Sequence, residues 1–305
     1  MSQGHNGTKA VKAALLANLV VAIIKLIAAY FTNSKAMLAE GIHSIADSLN
    51  QVLLLIGIKQ SKKKPDDIHN FGYGKSQFFW SLMVGVILFF LGGTYAMYEG
   101  YHKILHPEEL EHAWVVISIL FVAMTIEGKA LSIAYNEFKA EDTGLNVFQY
   151  IKETTNSSII VILLEDSAAL VGLTIAFVGT LLTIFVSPVF DGISSFLIGV
   201  LLTLVAYTLT REIYKLIIGE SMTPQEHQEI KEQIESYQIV DTVLSTRSMY
   251  LGNNKAIVIV QVDMNDNKCI HELENIVPKI KADIIRNNEK VYDLIIETIQ
   301  EGRNK

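Results

Sequence analysis

Residues 36–58 read AMLAEGIHSIADSLNQVLLLIGI. The stretch is long enough to cross a hydrocarbon core, which takes roughly 20 helical residues, yet it holds Glu40, His43 and Asp47. Ionisable groups at that depth are costly and normally face a bundle interior or a water-filled cavity. An inert anchor needs none of them, so the stretch predicts a membrane helix with a chemically active inner face. His43 and Asp47 stand four residues apart, one turn along one face, where an imidazole nitrogen and a carboxylate oxygen can share a cation. The same spacing also suits a hydrogen-bonded polar pair that fixes helix packing.

Working outward, comparable apolar runs cover Ala10 to Phe31, Gln77 to Tyr98, Ala113 to Ala134, Ser158 to Val186 and Val189 to Ile218. Half of the 305 residues are hydrophobic and 19% are charged, against about a quarter charged in soluble domains. The apolar runs fill the first two thirds, and the chain from about Glu220 has a soluble composition. The expectation is an α-helical polytopic membrane protein with a six-helix transmembrane domain at 1–219 and a cytoplasmic C-terminal domain at 220–305. Lysines set the orientation. Lys9 and Lys12 precede the first run, Lys59, Lys62, Lys63, Lys64 and Lys75 separate the second from the third, and Lys139 and Lys152 separate the fourth from the fifth. The opposite loops hold little beyond Lys35 and Lys103, so both termini are expected in the cytoplasm. The polar N-terminus lacks an obvious small-residue cleavage site, and the first run reads as retained.

In the last third, Thr223-Pro224-Gln225-Glu226 reads as a helix start with a threonine cap and proline at the first helical position. Strands follow near Val243 to Met249 and over Ala256 to Asp263, where Val258, Val260 and Val262 alternate against Ile257, Ile259, Gln261 and Asp263. A Gly252-Asn253-Asn254 turn joins them. A helix from about His271 to Arg286 and a strand from Val291 to Thr298 complete an αββαβ, ferredoxin-like α+β domain.

The fifth run contains Leu-Leu-Glu165-Asp166-Ser-Ala-Ala. Adjacent carboxylates in an apolar segment repel each other and lose hydration, so a proton, a cation or a basic group has to accompany them; a metal is the economical partner. Glu127 in the fourth run is a further intramembrane acid. Lys25 and Lys129 read as snorkelling stems or as partners for Glu127, with a proton-relay or counter-charge role as the alternative. Asp66 and His69 lie in the second loop among glycine turns, in a segment that reads equally well as solvated chain. The single cysteine, Cys269, excludes a disulfide framework and a Cys-rich zinc cluster within one chain, so any transition-metal site must use nitrogen and oxygen. The net charge of -7 with no basic tail excludes nucleic acid as the expected partner.

Taken together, the six runs with the αββαβ tail, His43-x-x-x-Asp47, Pro65-Asp66-x-x-His69-x-Phe71-Gly72-Tyr73-Gly74 and the acidic fifth run resemble the cation diffusion facilitators. The resemblance extends over nearly the whole chain. The stretch Glu-Gly-Ile-His-Ser-Ile-Ala-Asp-Ser-Leu-Asn-Gln, with Glu127-Gly128 and Leu-Leu-Glu-Asp-Ser-Ala-Ala, is similar to the branch that contains the mitochondrial zinc transporters. It implies a transport site between the second and fifth spans. His43 and Asp47 match its first half and Asp166 its last ligand. Ile162 occupies the remaining ligand position, which leaves Glu165 as the nominee to complete the site and Glu127 as the reserve. In the loop, Asp66 and His69 match two ligands, and Tyr73 stands where a second histidine would. In the tail, His271 matches a helix ligand and Glu297 replaces a last-strand histidine. The resemblance implies a homodimer, and the tail is expected to dimerise more reliably than it binds metal.

The function expected is transport of a divalent cation, zinc first and manganese, cobalt or ferrous iron after it, with protons as counter-ion because they compete for the same donor atoms. No prosthetic cofactor is expected. A metal-responsive membrane sensor without turnover is the alternative. A membrane metal hydrolase would need an open coordination position and a base, and no motif such as His-Glu-x-x-His supplies them. The short chain points to a prokaryotic inner membrane as host.

Overall fold

The computed structural model describes residues 11–12, 15–16, 18–24, 26–27, 30, 35–107, 113–140, 151, 154–265 and 270–299, with the side chains at 35–43, 46, 137–138, 140 and 270–272 excepted. The chain divides into two units, Met1–Gln60 with Ser76–Tyr214 and Ser61–Lys75 with Lys215–Lys305.

The first unit is helical: α1 (Lys35–Ser61), α2 (Ser76–Leu105), α3 (Ala113–Ala140), α4 (Ser157–Phe185) and α5 (Val189–Ile218), and the described residues between 11 and 30 are helical as well. Helix is the form that satisfies every backbone group inside one segment, as lipid requires. Ser76–Leu105, Ala113–Asn136, Ser157–Phe185 and Val189–Ile218 are long and apolar enough to cross a membrane; they match the third to sixth runs of the sequence. α1 covers the second run, while the first lies partly outside the described residues. Hydroxyls within these helices are absorbed locally. Thr180, Thr183, Ser194 and Thr203 each donate to the carbonyl four residues back at 2.7–2.9 Å.

α2 changes winding midway, with a π-helical segment at Leu88–Thr94 between two α-helical ones. The wider turn brings consecutive glycines against α5. A Cβ on Gly92 would lie 3.2 Å from Leu202 Cδ1, and one on Gly93 would overlap Thr203 Oγ1. The seam continues outward, where a Cβ on Gly100 would overlap the Phe196 backbone and approach Gly192 O at 2.8 Å, and one on Gly199 would lie 2.5 Å from Met97 N. Small residues let helix backbones approach closely in this way. The third-run glycines therefore serve packing within one chain. α2 is also tied to α4 by Gln77 Nε2 to Ser158 Oγ at 3.1 Å and by Ser81 Oγ to Ser157 Oγ at 3.0 Å.

In the second unit the threonine cap expected at Thr223 forms, and it is a full capping box. The Glu226 N–H donates to Thr223 Oγ1 and the Thr223 N–H to Glu226 Oε2, which starts α6 (Pro224–Glu235). Strands β1 (Val240–Gly252) and β2 (Lys255–Met264), helix α7 (Ile270–Asn287) and strand β3 (Val291–Thr298) complete the α-β-β-α-β order. β2 is central, antiparallel to β1 and parallel to β3. β1 outruns the expected Val243–Met249 because antiparallel pairing continues to the turn, where Asn254 takes the left-handed conformation at φ 49°. Val258, Val260 and Val262 are fully buried together with Ile230, Ile234 and Ile280 from the two helices, whereas Ile259 and Ile295 face the other side, partly exposed.

The segment Ser61–Lys75 folds with this second unit. Gly74 rests on the hairpin end so closely that a Cβ there would overlap Leu251 O and come to 3.0 Å from Gly252 Cα. Lys75 Nζ donates to Ile217 O at 3.4 Å.

Candidate metal site

α1 places His43 one turn before Asp47, with the His43 side chain outside the described residues and Asp47 half-buried. α4 places Glu165 and Asp166 at 8% and 2% exposure, and α3 adds Glu127 at 8%. These acids share one region. Glu165 feels the charges of Asp47, Asp166 and Glu127, and Asp166 those of Glu127 and Asp47. The structure thus brings together four of the carboxylates singled out in the sequence, from three helices. Ile162, at the ligand position the sequence leaves empty, is fully buried.

Glu165 points away from Asp166, as adjacent residues on a helix do at about 100° apart. Its Oε1 accepts from Asn50 Nδ2 at 3.2 Å and its Oε2 from Gln51 Nε2 at 3.0 Å. Both carboxylate oxygens are engaged by amides of α1. Among the described residues no three His, Cys, Asp or Glu side chains gather into an ion-holding group. In the sequence Asn50 and Gln51 figure only as the end of a family-like stretch with no role of their own, although they are two amides in an apolar run, three and four residues after Asp47.

The loop candidates behave differently. Asp66 Oδ1 accepts the N–H of Ile68 at 3.1 Å and of His69 at 2.7 Å, and Oδ2 accepts the Tyr73 hydroxyl at 2.6 Å. The His69 ring lies 4.2 Å from that of Tyr73, and Lys63 Nζ sits 5.5 Å from the Tyr73 ring centroid. The Tyr73 hydrogen bond first, and the His69 N–H next, hold the Asp66 carboxyl below its ordinary range, and the same bond pushes the Tyr73 phenol up. Tyrosine at the third position therefore organises the loop through hydrogen bonding and stacking.

Elsewhere, Glu297 on β3 accepts from Gln261 Nε2 at 2.9 Å, and the His271 side chain lies outside the described residues. His227 is hydrogen bonded to Ser248 Oγ at 2.7 Å, and burial lowers its ring pKa. Lys25 lies outside the described residues. Lys129 is exposed while Glu127 is buried, so the two occupy different faces of α3.

Four helices long and apolar enough to cross a membrane, with acids of three helices sharing one region, fit an integral multi-pass membrane protein of the ion-carrying class. The chain belongs to the cation efflux family, whose transmembrane domain matches residues 11–218, a family of transporters and not of enzymes. It is 33% identical over 260 residues to "Proton-coupled zinc antiporter SLC30A9, mitochondrial" of Xenopus laevis, covering 84% of this chain and 46% of the relative. It is 31% identical to "Metal tolerance protein C4" of Arabidopsis thaliana, over 86% of this chain and 58% of that one. "Manganese efflux system protein MneP" of Bacillus subtilis is 26% identical, with 93% and 92% covered. The chain spans about half the length of the zinc antiporters it matches.

Proposed function

We propose that the chain carries a divalent metal cation, zinc first, across a membrane in exchange for protons. The observation that carries this reading is that Asp47 on α1 shares one region with Glu127, Glu165 and Asp166, which stand on two of the helices long and apolar enough to cross a membrane. Such a concentration of acid in hydrocarbon is costly unless a cation or protons compensate it, and a site that accepts either in turn is what exchange needs. His43, Asp47 and Asp166 are the nominated ligands, with Glu165 completing the acid group and Glu127 in reserve. The names of the relatives, a proton-coupled zinc antiporter and a manganese efflux protein, support metal as cargo.

The accompanying architecture is a six-span bundle that exposes the site alternately to either side. Both termini lie on the cytoplasmic side, the C-terminal unit is of ferredoxin-like type, and the protein works as a homodimer in a prokaryotic inner membrane. The test is zinc flux into proteoliposomes holding wild type, Asp47→Ala or Asp166→Ala, with the inside pH set below or above the outside. Proton-dependent flux lost in both variants is the expected result. Flux that ignores the pH gradient would remove antiport, and flux that survives both substitutions would remove the ligand set.

A further inference from the structure

The face of α1 that bears His43 and Asp47 continues for another turn as Asn50 and Gln51, so that positions 43, 47, 50 and 51 form one stripe at helical spacing. Asn50 is 2% exposed and Gln51 is fully buried. Each gives an N–H to one oxygen of Glu165, which fixes both amide planes. Among the described residues, the carbonyl oxygens of these amides, Asn50 Oδ1 and Gln51 Oε1, accept no hydrogen bond, and neither does Asp166 Oδ2. A buried amide oxygen without a donor costs free energy that an apolar side chain of similar size would avoid. Two amide oxygens on side chains bonded to Glu165 and one carboxylate oxygen of the adjacent Asp166 therefore have lone pairs open to an electropositive partner.

We infer that the side-chain oxygens of Asn50 and Gln51 bind the transported cation together with Asp166, and that Glu165 is a positioning residue that aims the two amides. This deepens the transport-site reading above and rests on it. Neutral carbonyl oxygens add coordination without adding negative charge, so the ion is held without being trapped. They also enlarge an imidazole and carboxylate set beyond the four donors of tetrahedral zinc, towards the oxygen-rich shells that manganese takes. The amides thereby widen the range of cargo.

Equilibrium binding of Zn2+ and of Mn2+ to the full-length protein in nanodiscs, without a pH gradient, tests this. Asn50→Leu and Gln51→Leu should each weaken Mn2+ binding by about tenfold or more and Zn2+ binding less, while Glu165→Gln should cost only a few-fold. Wild-type binding in both leucine variants, with Glu165→Gln as damaging as Asp166→Ala, would make Glu165 the ligand and overturn the assignment. If the leucine variants fail to fold, the double variant Asn50→Asp with Glu165→Gln keeps the net charge and the hydrogen bond with donor and acceptor exchanged. Retained binding in it is expected, and loss of both metals from the folded double variant overturns the proposal. Undiminished binding in Asp166→Ala would instead sink the underlying transport site, a separate outcome.

Discussion

The phenol of Tyr73 donates to Oδ2 of Asp66 at 2.6 Å, while Oδ1 of the same carboxylate takes the amides of Ile68 and His69. One exposed acid thus closes an eight-residue loop on itself. Tyr73→Phe keeps the ring that His69 stacks on and deletes only the hydrogen bond. Amide exchange at His69 and Gly72 should quicken, with exchange in β2 unchanged; an unaltered loop would mean that stacking alone holds it.

The same clasp sets a pH window. Asp66 is held below its usual value near 3.8, so its contribution is complete above that value and is lost as pH falls through the lower folded one. Tyr73 is raised above its usual 10.0, so its contribution is complete below that value and is lost as pH rises through the higher folded one. The loop should stay closed from about pH 4 to about pH 10. The exchange-protection factors of the His69 and Gly72 amides check it, and factors that fall inside that window would contradict it.

Where Gly74 meets the hairpin end, an added methyl group has only backbone to displace. Gly74→Ala should destabilise the second unit by about 1–3 kcal/mol, seen as a lower urea midpoint for the loss of its strand signal. A midpoint equal to wild type would show that the loop yields without cost.

The α2–α5 seam makes a paired prediction. Gly100→Ala forces a Cβ into the Phe196 backbone, whereas a Cβ on Gly128 in α3 would have nothing within 4 Å. Thermal unfolding should fall for the first and hold steady or rise slightly for the second, since alanine is the better helix former by about 1 kcal/mol. Equal shifts in the two variants would dissolve the argument from close approach.

In the core of the second unit, Ile280 is fully buried between the helices and the sheet. Ile280→Ala should cost about 2–5 kcal/mol, while Ile259→Ala on the more exposed sheet face should cost much less. Chemical denaturation of the full chain would separate them, and similar losses from both would mean that the outer face is covered.

What was legible in the sequence is what neighbouring residues decide. The threonine cap at Thr223, the alternation at Val258 to Val262 and the one-turn spacing of His43 and Asp47 are local patterns, and the elements formed where they were expected. The direction of Glu165 could be half read, because a helix turns adjacent side chains apart. Its partners could not, since Asn50 and Gln51 lie 115 and 114 residues away and only the packing of α1 on α4 introduces them. The loop shows the same limit. Tyr73 is visible as a departure from a metal-ligand pattern, but its bond to Asp66 needs the Gly72 turn, at φ 80°, to bring it round. The π-helical turn in α2 left no periodic trace, because a single extra residue is absorbed without changing composition.

The glycine seam also limits how the bundle can move. Helices separated by side chains can roll or slide as the side chains change rotamer, but backbones in direct contact, as at Gly100 with Phe196 and Gly199 with Met97, must part before they can shear. α2 and α5 therefore form one stiff panel. On the alternating-access reading proposed above, a cycle that turns the acids of α1, α3 and α4 from one side of the membrane to the other would place its hinges at the boundaries of that panel and not within it.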